Sequence, residues 1–320
     1  MSTPFFSVVI PLYNKSKYIA RTIKSVLNQT FGNFEVIVVD DGSTDDSAAI
    51  VEQMMDQRMR LINQQNSGVS AARTRGIAAA RGECVAFLDA DDEWLPMFLE
   101  LVYEAYLQKP DAEIIYTAYS TSLERIEPSS SCEVIEIDDY FYSALNGRSM
   151  CASAVAIRRS VLERTACFPL GVGRGEDLDL WFRLIWSGKK VYFINKVLSL
   201  YYRDASESAL LNFRLKNKYH DWYFWNTYST WLAGGRVPHS LQASSAKYMN
   251  KLVLSTVMEL VFSNCYQDAR IALCKKVSIF TNPKGYFRAF IACYLPRNMY
   301  LLLREMKYPK CGLAEPGLYI

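Results

Sequence analysis

The sequence predicts an α/β fold: a Rossmann-like, mainly parallel central sheet flanked by helices, with a helical C-terminal extension. Three observations predict it. From Ser7 to about Tyr116, short β-branched runs alternate with helix-length amphipathic segments, the pattern of successive βαβ units. The chain has 320 residues, 50% hydrophobic and 22% charged, which suffices for a substantial core and excludes a disordered or fibrous chain. Residues 211–320 lose the strand pattern and read as helices broken at Gly234-Gly235, Pro283, Pro296 and Pro309. The expected division is therefore 1–210 for the sheet-bearing domain and 211–320 for a helical region.

Residues 7–10, 36–39, 60–62, 85–88 and 114–116 are the candidate strands. Between the first two, Tyr18, Ile19, Thr22, Ile23, Val26 and Leu27 fall at helical spacing, so one helix face covers the sheet. Right-handed crossovers are expected to stack these strands in one parallel layer. Every strand is then followed by a loop at the same edge, outside which α/β sheets bind their ligands. Later, Leu178, Trp181, Phe182 and Ile185 fit a helix face that places Glu176 and Asp177 in its first turn. In the last third, Lys251, Leu252, Leu254, Ser255, Met258 and Phe262 share a face, and residues 300–307 form another short helix.

Composition narrows the chemistry. With only His220 and His239, no histidine-rich metal site can be built, so acid-base work falls to carboxylates. The eight cysteines are scattered without a Cys-x-x-Cys pair and read as reduced. The N-terminus lacks a basic start and apolar core, and no window reaches the roughly 18 apolar residues of a membrane span, so a cytoplasmic protein is expected. The net charge of +3 hides a division: residues 1–210 carry 21 Lys and Arg against 28 Asp and Glu, whereas residues 211–320 carry 15 against 5. An acidic domain precedes a basic, aromatic-rich tail suited to an anionic surface, and nothing calls for nucleic acid.

The first strand runs into Pro11-Leu-Tyr-Asn14, the second into Asp40-Asp-Gly-Ser-Thr-Asp45, and the fourth into Asp89-Ala-Asp-Asp92. Each has an ordinary reading: Asp-Gly-Ser is turn chemistry, Ser43 or Asp45 would cap the next helix, and Asp92 would cap the helix after Pro96. Jointly, the carboxylates of these two acidic runs at one sheet edge repel one another unless a cation neutralises them. Oxygen ligands suit Mg²⁺ or Mn²⁺.

The runs Ser7-Val-Val-Ile-Pro-Leu-Tyr-Asn14, Val38-Val-Asp-Asp-Gly-Ser-Thr-Asp45, Asn66-Ser-Gly-Val-Ser-Ala-Ala-Arg73 and Phe87-Leu-Asp-Ala-Asp-Asp-Glu-Trp94 closely resemble the family-2 glycosyltransferases, whose nucleotide-sugar-binding fold is called GT-A. The match spans roughly residues 5–208. It implies a nucleoside-diphosphate sugar donor, with Pro11 and Tyr13 framing base and ribose, and Asp41 reading the base edge. A carboxylate accepting from an imide N–H favours uracil, hence UDP, although dTDP presents the same edge. Arg73 is expected to pair with base or diphosphate; its alternative is a solvated arginine on a helix that packs through Val69, Ala72 and Ile77. The family pattern has Asn after that arginine, where this chain has Thr74. By the same resemblance Asp89-Ala-Asp91 is the Asp-x-Asp motif, Asp89 facing the ribose and joining Asp91 at the metal.

A fifth run, Gly171-Val-Gly-Arg-Gly-Glu-Asp-Leu-Asp-Leu-Trp-Phe-Arg183, resembles the family's acceptor-side motif. There Asp177 corresponds to the catalytic base, with Glu176 the competitor or the group that orients the acceptor or Asp177. Acidic residues at a helix start are also ordinary dipole partners. The three glycines make a loop expected to close on the donor, with Arg174 reaching a phosphate or an acceptor hydroxyl. Tyr201-Tyr-Arg-Asp-Ala-Ser-Glu-Ser208 is similar to a segment that often carries a histidine where Ala205 stands, so a third metal ligand from it is open. Tyr219-His-Asp-Trp-Tyr-Phe-Trp225 and residues 286–304 read either as a buried cap or as a membrane-interface surface. The implied function is an inverting, Mn²⁺- or Mg²⁺-dependent transfer of sugar from a UDP-sugar to a hydroxyl of a growing lipid-linked bacterial surface glycan of polysaccharide or lipopolysaccharide O-antigen type, at the inner face of the cell membrane. The alternatives are a catalytically inactive sugar- or nucleotide-binding protein and a sugar-1-phosphate nucleotidyltransferase. The latter would need a glycine-rich basic loop where Pro11-Leu-Tyr-Asn14 stands.

Overall fold

The computed structural model describes residues 3–123, 132–165, 168–172, 174–202 and 223–295. These residues divide into two compact units, one of residues up to 138 and 150–202, the other of 139–149 and 223–295.

The first unit is built on β1 (Phe6–Leu12), β2 (Phe34–Asp40), β3 (Met59–Asn63) and β4 (Cys84–Phe87), which pair in parallel in the spatial order β3-β2-β1-β4. All seven residues of β1 and of β2 are buried, the continuous apolar run expected of strands covered on both faces. Alternation sorts them: Val8, Ile10, Leu12, Val36 and Val38 join a large cluster with Ile19, Ile23 and Val26 of α1 (Ile19–Leu27) and with Phe98, Leu99 and Val102 of α4 (Phe98–Gln108). Ile37 and Val39 point the other way, against Ala72 of α3 (Val69–Ala79). That helix lies close on β1 because residue 76 is glycine: a Cβ there would stand 2.3 Å from Val9 Cγ1. Between β2 and β3 runs α2 (Ser47–Gln53).

Every predicted strand forms, but they do not make one parallel layer. After β5 (Glu93–Trp94), β6 (Ile114–Ser120) and β7 (Val134–Glu136), the strand β8 (Val155–Arg158) enters between β4 and β6 and pairs antiparallel with both. Burial explains the insertion: Val155, Ala156 and Ile157 are fully buried and seal the gap that β4 and β6 leave. β9 (Val191–Leu200) then pairs parallel with β6 and antiparallel with β5 and β7. In parallel register Leu12 pairs Asp40 and Val9 pairs Phe87, so the carboxyl ends of β1, β2 and β4 share an edge. Because β8 runs the other way, its amino end, preceded by a 3-10 turn at Ala152–Ala154, arrives at that edge too.

α6 (Arg159–Arg164) follows β8, and α7 (Glu176–Trp186) buries Leu180, Trp181, Phe182, Leu184, Ile185 and Trp186, a wider face than spacing predicts. Phe168 wedges between sheet and helix, its ring 5.4 Å from Phe87 and 6.1 Å from Trp181.

The second unit is helical: α5 (Tyr140–Leu145), α8 (Tyr223–Ala233), α9 (His239–Phe262), α10 (Tyr266–Lys276) and α11 (Pro283–Tyr294). Tyr248 of α9 is fully buried between Tyr140 and Phe141. The Asn250 side chain accepts from Ser278 N at 2.9 Å and donates to Ser278 O, fastening the link between α10 and α11. Residue 283 is the first of α11, where proline's missing N–H costs nothing. The short helix expected at 300–307 and the breaks at Pro296 and Pro309 lie outside the described residues. Among the described residues no helix is long and apolar enough to cross a membrane, and the described cysteines are free thiols.

Candidate active site

Two loops are fastened before any ligand is considered. At the end of β1, Asn14 adopts a positive φ of 50°, its N–H donates to Ser43 Oγ at 3.0 Å, and its Oδ1 accepts from Thr44 N at 2.8 Å. Ser43 Oγ in turn donates to Asp40 Oδ1 at 2.5 Å. Asp40 is therefore a buried turn residue rather than a ligand facing outward. Asp45 serves the start of α2, accepting from Ser47 N at 3.0 Å and Ser16 N at 3.0 Å.

Asp41 is 3% exposed, and its carboxylate accepts from Gln64 Nε2 at 2.7 Å, Ser67 N at 2.9 Å and Gly68 N at 2.8 Å. It ties the loop ahead of α3 to the end of β2. Gly42 beside it needs its positive φ of 76°, where a side chain would be strained. Pro11 is buried within β1, whereas Tyr13 is 47% exposed, an open ring at the sheet edge.

The Asp-x-Asp run is divided among three partners. Asp89 Oδ1 accepts from Arg73 Nη2 at 2.7 Å. Asp91 Oδ2 is paired with Lys15 Nζ at 2.5 Å, while Arg21 Nη2 donates to the Asp91 carbonyl at 2.7 Å. Asp92 does not cap the helix after Pro96, whose N-cap is Met97. It is 1% exposed, accepts from Ser153 Oγ, and accepts at Oδ1 from Tyr202 N at 2.9 Å. Burial, and then the charges of Asp89 and Asp91, push its carboxyl well above the usual range. The carboxylates of both acidic runs share the edge, but Asp40 and Asp92 are turned into the scaffold.

Arg73 is not solvated. It is 3% exposed and lies over the Phe168 ring at 5.1 Å, with Nη1 donating to Glu176 Oε1 at 2.8 Å as Nη2 holds Asp89. Burial alone would weaken its charge, but the carboxylates of Asp89, Glu176 and Asp177 together raise its pKa above the ordinary value. Arg73 thus joins the Asp-x-Asp loop to the first turn of α7.

Asp177, beside Glu176, is partly covered and accepts at Oδ1 from Leu178 N at 2.8 Å. Burial first, and the Glu176 charge second, push its carboxyl up to about 6 against the pull of Arg73. A carboxylate with that affinity for protons is suited to accept one near neutral pH. Asp179, the third acid of the turn, is buried in an ion pair with Arg183 at 2.8 Å. Arg174 is half-buried just before the Gly175 N-cap. Gly173, and the segment after Tyr202 that contains Ala205, lie outside the described residues.

No group of three or more His, Cys, Asp or Glu side chains is arranged for a metal ion among the described residues. The donor set nonetheless fits an oxygen-loving dication in one manner. Asp91 is 28% exposed and would offer one carboxylate to such an ion, and Mg²⁺ is commonly bound through only one or two carboxylates.

The profile of glycosyl transferase family 2 matches residues 7–165. The putative teichuronic acid biosynthesis glycosyltransferase TuaG of Bacillus subtilis is 32% identical over 206 residues, covering 62% of this chain and 79% of that one. The chain belongs to glycosyltransferase family 2. Glycosyltransferase GlyG of Streptococcus pneumoniae is 34% identical over 163 residues, 50% of each chain, and the putative glycosyltransferase EpsH of Bacillus subtilis is 31% identical over 231 residues. This family-2 chain spans about half the length of GlyG and 65% of EpsH. In fold it is similar to S. aureus TarS residues 1–349, solved with UDP-GlcNAc, at a TM-score of 0.68 and 18% identity, covering 97% of this chain and 95% of that one.

The family motifs lie along one edge of the sheet, and other side chains that they do not include stand there too. Ser153 donates to Asp92 and accepts from Asp89 N at 3.1 Å, and its carbonyl accepts from Trp94 Nε1 at 2.7 Å. Nothing in the sequence marks it, because its place depends on β8 running antiparallel. Lys15 had one signal, its position directly after the Pro11-Leu-Tyr-Asn14 loop.

Proposed function

We propose that this chain transfers a sugar, with inversion, from a nucleoside-diphosphate sugar to a hydroxyl of a growing, lipid-linked bacterial surface glycan. The observation that carries the proposal is the buried Arg73 bridge, which sets the donor-side Asp89 and the acceptor-side pair Glu176 and Asp177 around one guanidinium. UDP is the donor nucleotide of choice: Tyr13 offers a ring for stacking, and Asp41 Oδ2, which accepts from Gly68 N, retains a second lone pair for an imide N–H. TarS, which shares the fold, was solved with UDP-GlcNAc.

Asp177 is the base. Its carboxylate takes the proton of the acceptor hydroxyl as that oxygen bonds to the anomeric carbon, and the bond to the nucleoside diphosphate breaks on the opposite face. Glu176, held by Arg73, keeps negative charge beside Asp177 and so raises its basicity. Arg73 acts as a positioning residue, since both terminal nitrogens are engaged within the protein. Arg174 is the candidate for a phosphate or acceptor hydroxyl. A Mn²⁺ or Mg²⁺ held by Asp91, with Asp89 alongside, would stabilise the charge gathering on the leaving diphosphate.

The direct test incubates the full chain with a panel of nucleotide sugars and Mn²⁺ and measures release of free nucleoside diphosphate. UDP released from one UDP-sugar and lost in Asp177→Asn supports the proposal. Binding without turnover on any donor, with lipid-linked acceptors supplied, would mean a sugar-binding protein instead.

A further inference from the structure

Helix α11 is inside out. The side chains it turns inward are small, with Ala289 at 2%, Ala292 at 0% and Cys293 at 0% exposure, whereas Phe287 is 56%, Phe290 41%, Ile291 48% and Tyr294 53% exposed. Residues 287, 290, 291 and 294 follow the spacing of a single helix face. The rings form a ladder: Tyr286 stacks on Phe290 at 6.5 Å, Phe290 lies 4.7 Å from Tyr294, and the Arg270 guanidinium sits 4.4 Å from Tyr294. A folded domain gains nothing by presenting its large apolar side chains to water, so a stripe of this kind marks a surface that meets something else.

Charge identifies what it meets. Lys284 and Arg288 flank the stripe one turn apart, both exposed, and α11 carries no acidic residue. Residues 223–295 hold eight Lys and Arg against two Asp and Glu. A second copy of this chain on the same face would bring like charges together. Aromatic rings with a cationic flank are instead the composition of a helix lying at the boundary between anionic headgroups and acyl chains, with lysine and arginine reaching the phosphates.

We propose that α11 is an interfacial helix that seats the second unit on an anionic lipid surface through Phe287, Phe290, Ile291 and Tyr294. This deepens the lipid-linked acceptor reading and rests on it for its purpose, because an enzyme held at the bilayer meets a membrane-bound acceptor in two dimensions.

The test is flotation of the full chain with vesicles of phosphatidylcholine and phosphatidylglycerol, against vesicles of phosphatidylcholine alone. The wild-type chain floats with the anionic vesicles and stays at the bottom with the neutral ones. The combined variant Phe287→Ser, Phe290→Ser, Ile291→Ser loses about tenfold or more in vesicle affinity while keeping its circular dichroism, since the side chains removed are exposed. Lys284→Glu with Arg288→Glu weakens anionic binding with the apolar stripe intact. A wild-type chain that fails to float, or a serine variant that floats equally well, overturns the proposal. So does light scattering that finds a wild-type dimer abolished by the serine variant. Nucleoside diphosphate release, measured on the same samples without vesicles, separates the two readings. Turnover without flotation sinks this inference alone, and flotation without turnover on any donor sinks the transferase reading alone.

Discussion

Arg73 Nη1 lies 2.8 Å from Glu176 Oε1, across 103 residues of sequence, and the same guanidinium holds Asp89 at 2.7 Å. One buried cation therefore balances carboxylates from two motifs that the chain order keeps far apart. Removing a charge at such a place leaves the others uncompensated in a low-dielectric setting.

Arg73→Ala should cost about 3–5 kcal/mol of stability, read by urea denaturation. Arg73→Lys keeps the charge but cannot span both carboxylates, so the fold survives while kcat falls and the pH midpoint of kcat shifts. A role confined to packing would leave that midpoint unmoved.

Asp177 titrates near 6 in the folded chain, against an ordinary 3.8. A base must be ionised to act, so transfer should rise with pH through about 6 and level off above it. The stability sign is opposite. The folded state binds the extra proton between the two values, so this group's contribution falls as pH rises through that window and remains unfavourable above it. Asp177→Asn should lower kcat about a hundredfold to ten-thousandfold. It should also raise the melting temperature at neutral pH, by an amount equivalent to no more than about 3 kcal/mol.

Asp91→Ala should stay folded, being 28% exposed with a single ion pair at its carboxylate. Transfer should fall about a hundredfold or more if it supports the leaving diphosphate through a cation. Near wild-type rates in metal-free buffer would defeat that assignment.

Lys15 occupies the same Asp91 oxygen that a dication would use, at 2.5 Å. Lys15→Met removes the competing charge, so Mn²⁺ affinity without nucleotide should rise about tenfold or more. Paramagnetic resonance of free Mn²⁺ measures it, and Asp91→Asn in the Lys15→Met background should abolish the gain.

Asp92 is held by Ser153 and by Tyr202 N, with its carboxyl raised by burial and by its acidic neighbours. A raised folded value means the folded state favours the proton, so stability should grow as pH falls through that value. Asp92→Asn mimics the neutral form and should be tolerated in thermal melts, whereas Asp92→Ala leaves the Tyr202 N–H unpaired and should cost about 1–3 kcal/mol.

Strand runs were legible because strands buried on both faces must be continuously apolar, as β1 and β2 are. The acidic first turn of α7 was legible for a similar reason, since helix spacing is local. Lys15 was marked only by its place directly after the first loop, and Ser153 was not legible. Their partners Asp91 and Asp92 lie 76 and 61 residues away, and no local pattern records which loops a sheet will bring together.

What the sequence determined by itself is therefore the inventory and its edge: carboxylates after β2 and β4, and an acidic pair opening α7. Periodicity and the parallel-strand rule suffice for that, because both act over a few residues or over one repeated crossover. Only the tertiary structure decided the division of labour among those acids. Antiparallel entry of β8 turned Asp92 toward Ser153, and close packing of α3 on β1 through Gly76 placed Arg73 between Asp89 and Glu176. The charge state of a buried carboxylate depends on which opposite and like charges stand within a few ångströms, and that is a property of the packed chain rather than of its order.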